Sequence, residues 1–257
     1  MNLRVSKAAA VRLSQGEPVI PDITGASLPD GFRGQPKLDA SRCAQGCTAC
    51  VEACPTGAIS LNPLTIDLGA CVYCPVCTEV CPEGVITYTN GYKMAATSRE
   101  GLLMREGGSI SPKSCSEEIR RVFGRSLKLR SVSAGGCNGC ELELGALSNV
   151  NFDMSRFGIE FVASPRHADG VVISGTTTRA MAHALEATFE AVPKPRLLIL
   201  FGACAISGGV FQSSHQLARD FIEKHGIDLY IPGCPPHPLT LIHGLLGYLR
   251  KINPPQA

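Results

Sequence analysis

In Cys71-Val72-Tyr73-Cys74-Pro75-Val76-Cys77-Thr78-Glu79-Val80-Cys81-Pro82, four thiols stand at the spacing Cys-x2-Cys-x2-Cys-x3-Cys-Pro. At that spacing three thiolates close on one iron-sulfur cluster while the fourth reaches a neighbouring one. Pro82 lacks the amide a continuing helix needs, so the chain turns away after the last thiol. A second run lies upstream, Cys43-x3-Cys47-x2-Cys50-x3-Cys54-Pro55, with one residue more in its first gap. The loop before Cys47 must bulge to bring Cys43 to the same site.

The two runs are a repeat. Cys47, Cys50, Cys54, Pro55, Gly57 and Ile59 recur 27 residues later as Cys74, Cys77, Cys81, Pro82, Gly84 and Ile86, and a duplicated unit packs about a pseudo-twofold axis. Exchange of the fourth thiol assigns Cys43, Cys47, Cys50 and Cys81 to one 4Fe-4S cluster and Cys71, Cys74, Cys77 and Cys54 to another. Alternation in Ala58-Ile59-Ser60-Leu61 and Val85-Ile86-Thr87-Tyr88 predicts short strands that cover the clusters with apolar side chains. Zinc is the competing reading, but zinc ligands come as two separated pairs rather than tight runs of four with proline behind each. A disulfide scaffold is the other.

Composition sets wider bounds. The chain has 257 residues, 44% of them hydrophobic, with a net charge of +2, enough apolar content for two modest cores. Near-neutral charge gives nucleic-acid binding no support. The longest apolar stretch, Leu197 to Ile206, is too short to span a bilayer. Met1 to Lys7 carries charge but no apolar run for export, and Arg120-Arg121 lies inside the chain, so the expected compartment is a reducing cytoplasm.

Residues 1–35 are rich in Pro and Gly and predict an extended N-terminal arm that lies on something else. Residues 36–96 form the two-cluster domain. Between Cys43 and Tyr88 stand Glu52, Asp67, Glu79 and Glu83 and no Lys or Arg, a locally negative surface. Residues 97–125 are a connector ending in a helical Ser116 to Val122, basic on balance from Lys113 to Arg130; a solvated face and a seat for an acidic partner both fit that run.

From residue 126 to 257 the rhythm changes to alternating strand and helix. Strands are predicted over 127–132, 159–163, 170–174, 197–201 and 227–231, and helices from 141 and over 179–191, 216–225 and 238–249. That order makes an α/β domain, an open parallel sheet with helices on both faces. Cys137 and Cys140 follow the first strand, Cys204 the fourth and Cys234 the fifth. Ligands gather beyond the carboxyl ends of such strands, so these four thiols converge on one rim. Gly135, Gly136, Gly139, Gly202 and Gly233 let backbone approach a bulky group there; four unrelated buried thiols are the bland alternative. The sheet is flavodoxin-like, but Ser133-Ala134-Gly135-Gly136-Cys137 has neither a dinucleotide fingerprint nor a phosphate-binding lysine motif. Cys115 belongs to none of the three sets.

Residues 126–250 resemble the small, cluster-bearing subunit shared by group 4 membrane-bound nickel-iron hydrogenases and respiratory complex I. The likeness rests on Cys137-Asn138-Gly139-Cys140-Glu141-Leu142-Glu143, Val172-Ile173-Ser174-Gly175-Thr176, Phe201-Gly202-Ala203-Cys204-Ala205 and Pro232-Gly233-Cys234-Pro235-Pro236. Residues 18–96, including Gly31-Phe32-Arg33-Gly34, resemble the bacterial-type two-cluster ferredoxin subunit of the same assemblies. The chain is therefore similar to a fusion of two neighbouring subunits, most like those of formate hydrogenlyase. Complex I places two adjacent cysteines at the first ligand position, whereas hydrogenases have Cys-x2-Cys, as Cys137 and Cys140 do.

The resemblance implies three 4Fe-4S clusters and an oxidoreductase subunit that passes electrons. The rim cluster on Cys137, Cys140, Cys204 and Cys234 would face the nickel site of a separate large subunit, since no further Cys-x2-Cys pairs remain here. The other two would serve a formate dehydrogenase, a carbon monoxide dehydrogenase or a soluble ferredoxin. Membrane ion-translocating subunits would hold the chain on the inner face of the membrane. Glu143 and Glu141 are candidates for proton transfer, or helix N-terminal carboxylates stabilised by the dipole. His237 is a candidate donor to the cluster or a plain core histidine. A complex I-like quinone reductase and a freestanding iron-sulfur carrier remain as alternatives.

Overall fold

In the cysteine-rich half, the strands that flank the two cysteine runs are each held by a partner from the other copy of the repeat. In the computed structural model, which describes residues 3–252, that half contains α1 (Leu3–Gln15), β1 (Pro36–Leu38), α2 (Ala49–Glu52), β2 (Ile59–Ser60), β3 (Thr65–Asp67), α3 (Val76–Glu79), β4 (Ile86–Tyr88) and β5 (Leu103–Arg105). The strand before the first run pairs antiparallel with the strand after the second, Leu38 opposite Ile86. The strand after the first run pairs with the strand before the second, Ile59 opposite Ile66. All four of these side chains are buried and belong to one cluster. Sequence duplication has thus become pseudo-twofold packing.

The second half contains α4 (Glu117–Phe123), β6 (Leu127–Ser133), α5 (Gly139–Ala146), β7 (Ile159–Phe161), β8 (Gly170–Ser174), α6 (Arg179–Ala191), β9 (Leu197–Phe201), α7 (Ala203–Ser207), α8 (Asp220–Lys224), β10 (Leu229–Ile231) and α9 (Pro238–Tyr248). Its five strands are all parallel, in the order β10-β9-β8-β6-β7, the doubly wound arrangement of flavodoxin-like sheets. Every residue of β8 and β9 is buried, as the unbroken apolar runs of a sheet covered on both faces require. Period-2 alternation sorts their side chains. Val171, Ile173, Leu198 and Leu200 face α6 and the cysteine-rich half, whereas Val172, Leu197, Ile199 and Phe201 face α4, α5 and α9.

The halves share the first of these cores and are joined by specific contacts. A Cβ on Gly69 would lie 2.7 Å from the Ile206 side chain, so only glycine permits that approach. Gln212 Nε2 donates to the Thr56 carbonyl at 3.0 Å, and Ala96 and Tyr230 exchange N–H···O bonds of 3.1 and 2.8 Å. Among the described residues no helix is long and apolar enough to cross a membrane.

Two expectations are revised. The arm is not extended throughout: Leu3–Gln15 is helical, because Ala8-Ala9-Ala10 favours helix and no Gly or Pro interrupts it before Gly16. Beyond it the chain lies on the body, where Ile23 is buried and the Ile20 N–H donates to the Asn151 carbonyl at 2.9 Å. The helix expected over 216–225 begins only at Asp220. Residues before it are tied to the start of α6 instead, by Arg179 N–H to Gln216 O at 2.9 Å and Ala218 N–H to Thr177 O at 2.8 Å.

Candidate metal centres

Thirteen cysteines are free, and burial raises several of them, with neighbouring thiols adding to the rise. Cys50 is pushed up by burial and then by Cys81, Cys43 and Cys47. Cys71 is pushed up to about 11, chiefly by burial, with Cys77 and Cys54 adding to it. Burial raises Cys77 too, with contributions from Cys74 and Cys54. Cys54 lines one pocket with Cys71, Cys74 and Cys77, and Cys81 is the thiol that adds most to the rise of Cys50. Between Cys43 and Cys47 the backbone turns, the Cys47 N–H donating to the Ala44 carbonyl at 3.1 Å, through Gly46 at φ +79°, which takes up the extra residue of the first gap.

Cys54, Cys71, Cys74 and Cys77 line a small pocket together with Ile59, Ile66 and Tyr88. Two amides point at its sulfurs, Tyr73 N–H to Cys71 Sγ and Ala58 N–H to Cys54 Sγ, both 3.3 Å. The Tyr88 hydroxyl lies 3.7 Å from Cys71 Sγ and 3.7 Å from Cys77 Sγ; burial and those two thiols push its phenol well up. Arg33 Nε donates to the Tyr73 carbonyl at 2.6 Å and so braces the Cys71–Cys74 loop.

At the sheet's carboxyl rim, Cys140 is pushed up to about 12 by burial, then by Glu141, Cys204, Cys234 and Cys137. Burial followed by Cys234 and Cys137 raises Cys204. Three segments remote in sequence thus meet, as the topology of such sheets demands. Glycine makes the meeting possible: a Cβ on Gly202, at φ +96°, would lie 2.8 Å from Cys140 Sγ, and one on Gly209 3.0 Å from Cys204 Sγ. Arg219 donates to the carbonyls of Ala205 (2.9 Å) and Ile206 (2.6 Å), fixing the short helix that carries Cys204. Cys234 feels Cys74 as well as Cys137, and the two line a cleft of about 400 Å³ with Phe32 and His237.

The remaining candidates fall into different roles. Glu141 turns inward, where Ser174 Oγ donates to it at 2.7 Å. Burial pushes its carboxyl up, but hydrogen bonds from Ser133, Ser174 and its own amide outweigh this and hold it low; its Oε2 is buried without a partner. Glu143 is half-buried and pushed up by that burial. His237 caps α9, its Nδ1 accepting the Leu239 N–H at 3.2 Å, with its ring edge-on to Phe32 and Phe152. Cys115 is buried away from the three sets, its N–H bonded to the Tyr248 carbonyl at 2.9 Å.

The donor sets suit an iron-sulfur group, because each consists of cysteine thiols and a cluster takes each thiolate on a different iron. Among the described residues no three His, Cys, Asp or Glu side chains are placed to hold a single metal ion. Raised thiols must lose protons on binding metal, so metal and fold are coupled.

A doubly wound sheet with four thiols at its rim suits a redox cofactor held by cysteine. Residues 137–248 match the family of the NADH ubiquinone oxidoreductase 20 kDa subunit. The chain is 34% identical over 135 residues to the probable membrane-bound hydrogenase subunit mbhJ of Pyrococcus furiosus, covering 52% of this chain and 81% of that one. It is 42% identical over 130 residues to formate hydrogenlyase subunit 7 of Escherichia coli, covering 49% and 51%. Similarity to an NADH-quinone oxidoreductase subunit of Citrifermentans bemidjiense is 42% over 113 residues, covering 44% and 66%. The chain belongs to this family of oxidoreductase subunits, whose members bind a 4Fe-4S cluster.

Proposed function

We propose that the chain is the electron-transfer subunit of a membrane-bound hydrogenase-type complex and holds three 4Fe-4S clusters, two in a ferredoxin-like domain over residues 36–96 and one in the domain over 126–257. Cys43, Cys47, Cys50 and Cys81 would hold the outer cluster, Cys54, Cys71, Cys74 and Cys77 the inner one, and Cys137, Cys140, Cys204 and Cys234 the rim cluster. When bound, each supplies a one-electron carrier whose potential is tuned by hydrogen bonds and burial within roughly −700 to +450 mV. The observation that carries this reading is that Cys74 and Cys234 line a common cleft, which supports an arrangement of the three sets in series. Apolar side chains around the inner pocket exclude water, and Arg33 and Arg219 hold two of the ligand loops in place.

The outward end of the series supports a partner. Cys137 and Cys234 are exposed, and Leu142 (68% exposed), Val210 and Phe211 (both 53%) stand near the rim thiols in sequence. Apolar groups left open beside a redox centre mark a docking face; a nickel-iron large subunit would cover it, and membrane ion-translocating subunits would then hold the chain on the inner membrane face. A formate dehydrogenase, carbon monoxide dehydrogenase or soluble ferredoxin would meet the outer cluster.

A complex I-like quinone reductase is the second reading, favoured by the 42% identity to the NADH-quinone oxidoreductase subunit. Anaerobic pull-down separates them: co-purified nickel and a large subunit with paired Cys-x2-Cys motifs support the hydrogenase, and a nickel-free partner the quinone reductase. Isolation as a monomer would point to a freestanding carrier. Within the chain, Cys204→Ser should lower iron from about twelve to about eight per chain, abolish turnover and leave the other two paramagnetic signals. Retained turnover would refute the rim assignment.

A further inference from the structure

We propose that Tyr88 breaks the symmetry of the duplicated half, its hydroxyl raising the reduction potential of the inner four-cysteine site through a hydrogen bond that the outer site lacks. The inference rests on the two-cluster reading of that half. The repeat of 27 residues that relates Ile59 to Ile86 also relates Leu61 to Tyr88. Leu61 packs its apolar side chain against the core. Tyr88 instead places an O–H 3.7 Å from both Cys71 Sγ and Cys77 Sγ, in the pocket lined by Cys54, Cys71, Cys74 and Cys77. Pairing of β4 with β1, Tyr88 opposite Pro36, fixes the backbone that aims it. Among the described residues no side-chain hydroxyl reaches a sulfur of Cys43, Cys47, Cys50 or Cys81.

A metal-bound thiolate has no proton to give, so the phenol must be the donor in this contact. A donor to cluster sulfur draws off negative charge and favours the reduced form, which carries one more electron. Burial acts the other way, since a larger charge is harder to hold in a dry site; removing only the hydroxyl isolates the hydrogen bond. The proton stays on tyrosine throughout, and no bond forms or breaks. Tyr88 therefore favours an electron on the site beside Cys234, a contribution that its twin farther out does not receive.

The test is a redox titration of the whole chain followed by electron paramagnetic resonance, with iron content measured first. Tyr88→Phe keeps the ring and its strand pairing. It should make one of the three sites about tenfold harder to reduce, a downward shift of about 59 mV for a one-electron couple, and leave the other two in place. Replacement of Tyr88 by 3-fluorotyrosine, almost the same shape but a more acidic donor, should shift the same signal upward. Potentials unmoved in both proteins, or moved in the same direction, overturn the role of the hydroxyl. If Tyr88→Phe fails to fold, the fluorinated protein alone decides, its upward shift supporting the role and its absence refuting it. Iron below about eight per chain in the unaltered protein would instead refute the cluster reading on which it rests.

Discussion

Replacing Gly202 by alanine should disable the rim site while sparing the other two. Gly202 sits at φ +96°, ψ +156° ahead of α7, a region reached in practice only by glycine and costing other residues of order 1–3 kcal/mol. The new Cβ would also stand 2.8 Å from Cys140 Sγ and 3.6 Å from both the Gly233 carbonyl oxygen and Pro236 Cδ. Overpacking of that kind adds about 1–3 kcal/mol. Cys140 cannot swing away freely, because α5 holds it beside the rim, so the whole penalty falls on the ligand geometry. The expected outcome is a loss of about 2–6 kcal/mol in anaerobic denaturant unfolding and about four irons per chain, with the two paramagnetic signals of the cysteine-rich half unchanged. Gly145→Ala is the control. It lies inside α5 with nothing within 4 Å of the added carbon and should stabilise by up to about 1 kcal/mol through helix propensity. A Gly202→Ala protein with full iron and an unchanged denaturation midpoint would refute the close approach of that backbone to Cys140.

Two further outcomes are expected. Cys115→Ser should retain all the iron and lose at most about 1 kcal/mol, since its thiol is buried apart from the three sets and acts as a small apolar group; loss of one cluster would show that it is a ligand. His243 is pushed down to about 4 by burial and by Lys93, below its unfolded value of about 6.5, so its contribution to stability is present above pH 6.5 and lost as pH falls toward 4. His243→Leu should reduce the slope of stability between about pH 6.5 and 5.5 by up to about 1.4 kcal/mol per pH unit. His237, which burial also pushes down, contributes slope of the same sign.

The parts legible in the sequence are those written in local spacing. Cys-x2-Cys runs, the repeat of 27 residues and the unbroken apolar stretches of β8 and β9 each point to one arrangement, and the observed pairings of Leu38 with Ile86 and Ile59 with Ile66 follow them. Convergence of Cys137, Cys140, Cys204 and Cys234 was legible through topology, because sheet order alone fixes where strand ends lie. What escaped reading acts across long separations. Arg219 reaches carbonyls in α7 and Arg33 reaches Tyr73, and a lone arginine carries no local sign of its target. The late start of α8 likewise comes from backbone bonds to Thr177 and Arg179, which override a helical pattern. Proline and glycine at Pro18, Pro21 and Gly25 masked the alanine run ahead of them, and α1 was missed for that reason.

The contacts of Gly69 with Ile206 and of Gln212 with Thr56 tie the halves within a single polypeptide. Two separate proteins would have to find each other in the cell at whatever abundance each happened to reach, and any excess of one would circulate with an open seam. Tethering replaces that bimolecular search by a local one at millimolar effective concentration. Stoichiometry is then set at translation, and the spacing between Cys74 and Cys234 survives dilution.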